Sequence, residues 1–338
     1  MEKEKITALA LFFKKGFGYK RFKELLRKHG SLSCGVREEK IELSSELKRA
    51  EEELKKAEKF GVKLLTPLDK EYPRELLNLS QPPLALYLKG NLFKPPRVAV
   101  VGSRRCSDYG RRVAFRLGKF LSERGIPVVS GLALGIDSQA HKGAVAGGGK
   151  TVAVLGSSLD CPYPETNKEL FLKVVQSGGG VISELPFGTR AKRAFFPRRN
   201  RIVAALSDVL VVVEAREKSG TSITVNFALE LGKNVVAVPG NIDSPFSKGT
   251  NRLLLEGALP LTSIEDFFSL FPNLKPVREK EVSIPKGGEI YSLLKEEPLS
   301  SDEIAFRLKV PVSKVNSILS LLEVKGLVRR EGLKWTAL

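Results

Sequence analysis

Hydrophobic and polar positions change their period twice along the chain. Over the first sixty residues apolar side chains recur at helical spacing: Leu9, Phe12 and Phe13, then Phe22, Leu25 and Leu26. The glycine-bearing turn Lys15-Gly16-Phe17-Gly18 separates the two sets. The stretch 44–60 reads as a charged amphipathic helix with Ser45 as its N-cap. Residues 66–91 carry Pro67, Pro73, Pro82 and Pro83 and read as extended linker and turns. From Pro96 the pattern becomes short, unbroken apolar runs at 98–101, 127–130, 151–155, 180–183, 209–213 and 234–238. Runs without polar alternation suit strands buried on both faces of a parallel sheet. Helical stretches alternate with them, one ending near Arg124, one opening at Asp137 and one over 221–231. The alternation predicts an α/β domain with a doubly wound, Rossmann-like parallel sheet, about 170 residues long.

After a charged, proline-bearing linker at 271–285, helical patterns return at 286–296, 300–309 and 311–325. Ser300, Ser301 and Pro311 stand at helix starts. A hairpin at 328–336 around Glu331-Gly332 completes a winged helix. That fold serves as often to dock proteins as to bind DNA, and the helix over 311–325 carries few basic residues. The expected plan is therefore a small helical domain at 1–65 and an extension or linker at 66–95. A Rossmann-like DNA-binding domain follows at 96–270, then a linker at 271–285 and a winged helix at 286–338.

Composition narrows the function. The 338 residues contain 56 Lys and Arg against 38 Asp and Glu, a formal charge of +18, with 42% hydrophobic residues to fill a core. No apolar run is long enough to span a membrane, and MEKEKITALALFFKK is too acidic for a signal peptide. A cytoplasmic location is the expectation. Three scattered cysteines (Cys34, Cys106, Cys161) form no CxxC, and two histidines exclude most histidine-ligated metal sites. Excess lysine suits a solvated surface, but the placement of charge points to a polyanion. Arg97 to Arg116 holds six arginines and one acid, Asp108, and Gly188 to Arg201 holds six basic residues and no acid. A surface built for solubility intersperses both signs.

The candidate chemistry lies at strand C-termini, where doubly wound sheets place ligands. Gly102-Ser103-Arg104 offers close backbone approach, free N–H groups and a charged fork to a phosphate. In the stretch 193–201, Phe195 and Phe196 interleave with arginines, as a single-strand site requires. One of these two rings is expected in the core. Glu214-Ala215 and Ser219-Gly220-Thr221 form a small-residue turn entering a helix, either a phosphate cradle or a tight strand–helix loop. Gly147-Gly148-Gly149-Lys150-Thr151 lacks the spacing and the following helix of a P-loop. His141 reads as a structural hydrogen-bonding residue, Asp137 as a helix N-cap and Cys161 as inert.

Together these segments resemble the DNA processing protein A (Smf) family of bacterial natural-transformation proteins. The similarity rests on VAVVGSR (98–104), SGLALGIDSQAH (130–141), TVAVLG (151–156), SELPFGT (183–189), FPRRNRIVAALS (196–207), EAREKSGTSIT (214–224) and VPGNIDSPFSKGTNRLLLEGA (238–258). One departure is Ser157-Ser158 after Gly156, where the family usually has a second glycine. The resemblance implies a non-catalytic protein, without metal or cofactor, that coats and protects incoming single-stranded DNA. It further implies loading of the RecA recombinase during transformation, and a homodimer formed through the late part of the Rossmann-like domain. The DNA contacts it implies are Gly102, Ser103, Arg104, Arg105, Ser130, Gly131, Lys192, Arg193, Phe196, Arg199, Asn200, Arg201 and Lys218. The alternative is a nucleotide enzyme of the phosphoribohydrolase-like Rossmann class, with Lys218-Ser219-Gly220-Thr221 and Glu230 in place of that class's glycine-rich loop and acid.

Overall fold

The structure is a computed structural model that describes residues 2–217, 219–274, 287–308 and 311–338. It divides into two compact units, Met1–Val277 and Arg278–Leu338. The first unit opens with helices α1 (Glu2–Phe13), α2 (Tyr19–His29), α3 (Leu32–Glu38) and α4 (Ser44–Lys59). Phe22 and Leu25 are buried, as their spacing predicts. Helix α4 begins at Ser44, and Ser45 is not its cap: the Ser45 hydroxyl bonds to the neighbouring Glu46 carboxylate instead.

The proline-rich segment is not a linker. It follows β1 (Lys63–Leu65) and contains a short 3-10 turn at Arg74–Asn78 and β2 (Leu86–Gly90). Its prolines flank the apolar run 84–88 rather than interrupt it, so that run is free to pair. Arg97 closes the segment. It is almost wholly buried, pairs with Glu75 and donates to the Phe93 carbonyl at 3.1 Å.

The remaining elements alternate: β3 (Val98–Val101), α5 (Asp108–Glu123), β4 (Val128–Ser130), α6 (Ile136–Ala146), β5 (Thr151–Val154), α7 (Lys168–Gln176), β6 (Gly180–Ser183), α8 (Phe195–Ala205), β7 (Val209–Val212), α9 (Thr221–Glu230), β8 (Asn234–Ala237), α10 (Lys248–Leu255), β9 (Leu259–Pro260) and α11 (Phe267–Leu270). One nine-stranded sheet runs β1-β2-β6-β5-β4-β3-β7-β8-β9. The strands from β6 to β9 are mutually parallel, while β2 joins β6 antiparallel with Leu88 opposite Ile182. The chain first winds outward from β3 towards β6, then returns to β7 on the other side of β3. The topological switch point therefore lies between β3 and β7. The helical segment shares a core with this sheet: Leu9, Leu11 and Phe22 belong to one apolar cluster with Tyr87, Leu155 and Val181. Glu53 of α4 pins the join, accepting from the Tyr87 hydroxyl at 2.8 Å and the Phe187 N–H at 2.6 Å.

In the second unit α12 (Gly287–Glu296), α13 (Ser301–Leu308) and α14 (Val312–Val324) pack on a three-stranded sheet of β10 (Leu299–Ser300), β12 (Lys334–Ala337) and β11 (Val328–Glu331). Ser300 and Glu303 exchange backbone and side-chain hydrogen bonds, a capping box that starts α13. This is a winged helix around Ile290, Leu319 and Trp335. Among the described residues no helix is long and apolar enough to cross a membrane.

His141 has the structural role its sequence context suggests. It is fully buried on α6, with Nδ1 2.8 Å from the Thr151 hydroxyl, which itself donates to the Val128 carbonyl. One hydroxyl proton serves that carbonyl, so the imidazole Nδ1–H donates to Thr151. Burial pushes the His141 pKa down to about 3, which keeps it neutral. A depressed pKa contributes stability that is fully present above pH 6.5 and lost as pH falls towards 3. Urea unfolding across that window should therefore show a loss of up to about 1.4 kcal/mol per pH unit that His141→Gln lacks. Parallel pH profiles for the two proteins would contradict this assignment.

Candidate nucleic-acid interface

The turn after β3 is held from below. The backbone N–H of Ser103 donates to the Glu214 carbonyl at 2.8 Å. The buried Glu214 carboxylate accepts from the N–H and hydroxyl of Ser107, the N-cap of α5. Glu214 thus fixes the Gly102-Ser103-Arg104 turn and leaves the Arg104 side chain exposed. Ser103 closes the turn by donating to the Arg105 carbonyl at 2.6 Å.

The arginine–phenylalanine stretch is a helix from Phe195 onward, and helical periodicity splits it into two faces. Phe196, Arg199, Asn200 and Val203 line a cavity of about 640 Å³ at the switch point. Gly102, Ser103, Arg104, Gly131 and Arg193 line the same cavity, and Ser219, Gly220 and Thr221 bring the start of α9 to it. Arg198 and Arg201 lie on the other face, where both pair with Glu184 just beyond β6. The absence of acids within 190–201 therefore does not leave every arginine free. Arg201 is buried in that pair and lies outside the cavity lining.

Arg199 lines the cavity floor but is only 5% exposed. Its Nη1 donates to the Gly131 and Val154 carbonyls, and its Nε donates to Asn200 Oδ1 at 3.1 Å. Burial pushes its pKa down to about 10, still well above neutrality, so it remains a cation. Asp137 lies beneath it inside the first turn of α6. Rather than capping that helix, its carboxylate accepts the Gly131 N–H at 3.1 Å. Burial pushes the Asp137 pKa up, against the pull of Arg199. Both Arg199 and Arg201, expected to touch DNA directly, have their guanidinium groups turned to protein partners. Ser130 is likewise fully buried, donating to the Val100 carbonyl at 2.7 Å.

The Phe196 ring rests on Gly156, where an added Cβ would stand 2.9 Å from the ring. The Arg104 guanidinium lies 4.7 Å from the centre of the ring. Tyr163, which the sequence reading passed over, stands 5.7 Å from it and also lines the cavity. Its position just past the end of β5 was the available signal. Phe195 is half-buried and belongs to no core cluster among the described residues, contrary to the expectation of a core ring. Arg105 and Lys192 are exposed outside the cavity lining, and Lys218 lies outside the described residues. The site thus presents three exposed arginines, Arg104, Arg193 and Arg216, and two aromatic rings around a hollow large enough for a nucleotide.

Residues 63–272 match the family model of the DNA recombination-mediator protein A. The chain belongs to the DNA processing protein A (DprA/Smf) family. Residues 276–332 match the DprA winged helix domain. Protein Smf of Synechocystis is 30% identical over 97% of this chain and 89% of its own length. The Streptococcus pneumoniae DNA processing protein DprA is 42% identical over 60% of this chain and 72% of its own. The solved S. pneumoniae DprA structure superimposes with a TM-score of 0.58 at 37% identity, covering 67% of this chain and 81% of that one. DprA from Helicobacter pylori, solved to describe its single-stranded DNA binding mode, gives a TM-score of 0.56 at 30% identity over 63% of this chain and 96% of that one.

Gly131 provides a direct test of the floor. A Cβ there would fall 2.3 Å from Arg199 Nη1, and that guanidinium is too tightly bonded to retreat. Gly131→Ala should lower the unfolding free energy by about 1–3 kcal/mol, the usual range for overpacking. The urea midpoint should fall at constant slope, and an unchanged midpoint would mean that Arg199 is not pinned.

Proposed function

We propose that this DprA-family protein binds single-stranded DNA in the 640 Å³ cavity and protects it there. The observation that carries the reading is Phe196, an aromatic ring seated in a cationic hollow between Arg104 and Tyr163. A base entering the cavity stacks on the ring and its guanidinium, while Arg104 and Arg193 hold flanking phosphates. Arg199 and Arg201 act behind this surface, as positioning residues. Belonging to the family of recombination-mediator proteins supports the further reading that the bound strand is handed to the RecA recombinase, in the cytoplasm, during natural transformation. A homodimer forms through the late part of the sheet domain. There α9 and α10 border a hollow of about 490 Å³, and Leu229 and Leu255 are exposed.

The rival reading, a nucleotide hydrolase, needs a carboxylate free to act in the cavity. Asp137 is the one acidic residue among the described lining residues, and it is bound to Gly131. Glu230 is exposed on α9, outside the lining, and Thr224 occupies the wall of the cavity.

Arg104→Ala should weaken oligo-dT binding by about 1.5–3 kcal/mol, the range for a hydrogen bond to a charged group. Its thermal midpoint should stay at the wild-type value, because the side chain is exposed. Fluorescence anisotropy at several salt concentrations should also give a log K that falls linearly with log salt, by roughly 0.7 per phosphate contact. A flat dependence would refute a phosphate-binding site.

Phe196→Ala should cost about 1–3 kcal/mol towards oligo-dT while leaving heparin affinity nearly unchanged, because stacking requires a base. Equal loss for both ligands, or none, would remove the ring from the binding site.

A further inference from the structure

Helix α2 carries a second concentration of positive charge that the cavity does not use. Its eleven residues hold five basic side chains, Lys20, Arg21, Lys23, Arg27 and Lys28, and a single acid, Glu24. Two of the five are neutralised: Arg21 and Lys28 both pair with Glu39. Lys20, Lys23 and Arg27 are exposed, and none has a hydrogen bond or ion pair among the described residues. At 3.6 residues per turn these three positions fall on one stripe, opposite the buried Phe22 and Leu25. Seven residues of helix separate the ends of the stripe, about 10 Å, a length suited to a run of backbone rather than to one small anion.

Helix α4 of the same segment shows what an ordinary solvated face looks like here. Its exposed surface mixes Lys48, Lys55 and Lys59 with Glu51, Glu52 and Glu58. Solubility needs no more than that mixture. The α2 stripe, three unpaired cations beside the single Glu24, lacks that mixture and requires a different explanation.

Its location supplies one. Phe17 and Tyr19, where α2 begins, pack on the apolar cluster that holds Leu155 and Leu159. Those two residues bracket Gly156, the floor beneath Phe196. The exposed Arg198 pairs with Glu184. The helical segment is fixed to the sheet by Glu53 and by the Lys5–Asp69 pair at 3.1 Å, so the stripe keeps its place relative to the cavity.

We propose that Lys20, Lys23 and Arg27 form an auxiliary site for the sugar–phosphate backbone of the DNA strand held in the cavity, which continues along α2. The contacts are electrostatic and indifferent to sequence, because no aromatic ring is exposed on the stripe among its three cations. The inference rests on the cavity being the primary single-strand site.

The test compares wild type with a Lys20→Gln/Lys23→Gln/Arg27→Gln variant of the full chain. Two oligo-dT probes are used, about 5 and about 30 nucleotides long, the first within and the second beyond the strand length that one compact site occupies. On the long probe the variant should lose affinity roughly ten- to hundredfold near 0.1 M salt, and its salt slope should fall by about 2, or 0.7 for each lost contact. On the short probe both proteins should bind alike. A Lys48→Gln/Lys55→Gln variant of α4 should match wild type on both probes. An unchanged long-probe slope in the α2 variant overturns the proposal. Equal losses on both probes also overturn it, since they mark a general field effect rather than an extended track. If wild type binds neither probe, it is the cavity reading that fails, so the two failures are distinguishable.

Discussion

One buried guanidinium organises the site. Strands β4 and β5 end side by side, and the carbonyls of Gly131 and Val154 at their ends both accept from the buried Arg199. A buried carbonyl left unpaired costs about 1–3 kcal/mol. Arg199 satisfies both, while Asp137 accepts the N–H of the same Gly131, so the three residues form a compact polar knot. Because Arg199 belongs to the first turns of α8, the knot also fixes that helix against the strand ends. Phe196, one turn earlier on the same face, is thereby set over Gly156, and Asn200 is set beside it. The glycine at 131 follows from the same constraint, since only a residue without Cβ leaves room for the guanidinium.

Other acids, Glu53 and Glu184 buried and Glu75 half-buried, repeat this logic around the frame. Glu75 neutralises Arg97 at the start of β3, Glu184 holds Arg201 and Arg198, and Glu53 ties α4 to the sheet. Buried ion pairs of this kind contribute little net stability, but breaking one leaves a charge stranded, so they hold elements in register. The consequence for function is a sorting of the +18 formal charge. Some arginines are consumed by the frame. Other cations stay with solvent, among them Arg104, Arg193 and Arg216 at the cavity and Lys20, Lys23 and Arg27 on α2, where they can meet a polyanion.

The helical segment and the antiparallel strand β2 extend the sheet domain instead of hanging from it. Their shared apolar cluster, with Phe22 and Tyr87 both fully buried, leaves no flexible joint between residues 1–60 and the sheet. The surface of the helical segment therefore keeps a fixed place beside the switch point.

Much of this was legible in the sequence. Unbroken runs such as 98–101 and 209–213 announced buried parallel strands, because strands covered on both faces have no polar side to alternate with. The winged helix showed in its helix starts at Ser301 and Pro311 and in its terminal hairpin. Gly102-Ser103-Arg104 and Phe196, singled out by residue type, do line one cavity at the switch point. Local pattern did not extend to pairing between distant segments. Strand β2 looked like linker because its partner β6 lies about ninety residues away, and proline spacing carries no record of that partner. Arg199 and Arg201 looked like ligand contacts because no acid stands near them in sequence. Asp137 and Glu184 reach them only once β4, β6 and α8 have been brought together. Sequence thus determined which residues can form strands, helices and an anion site. Tertiary structure alone decided which arginines face solvent and which are satisfied inside, because burial and charge pairing depend on neighbours far apart along the chain.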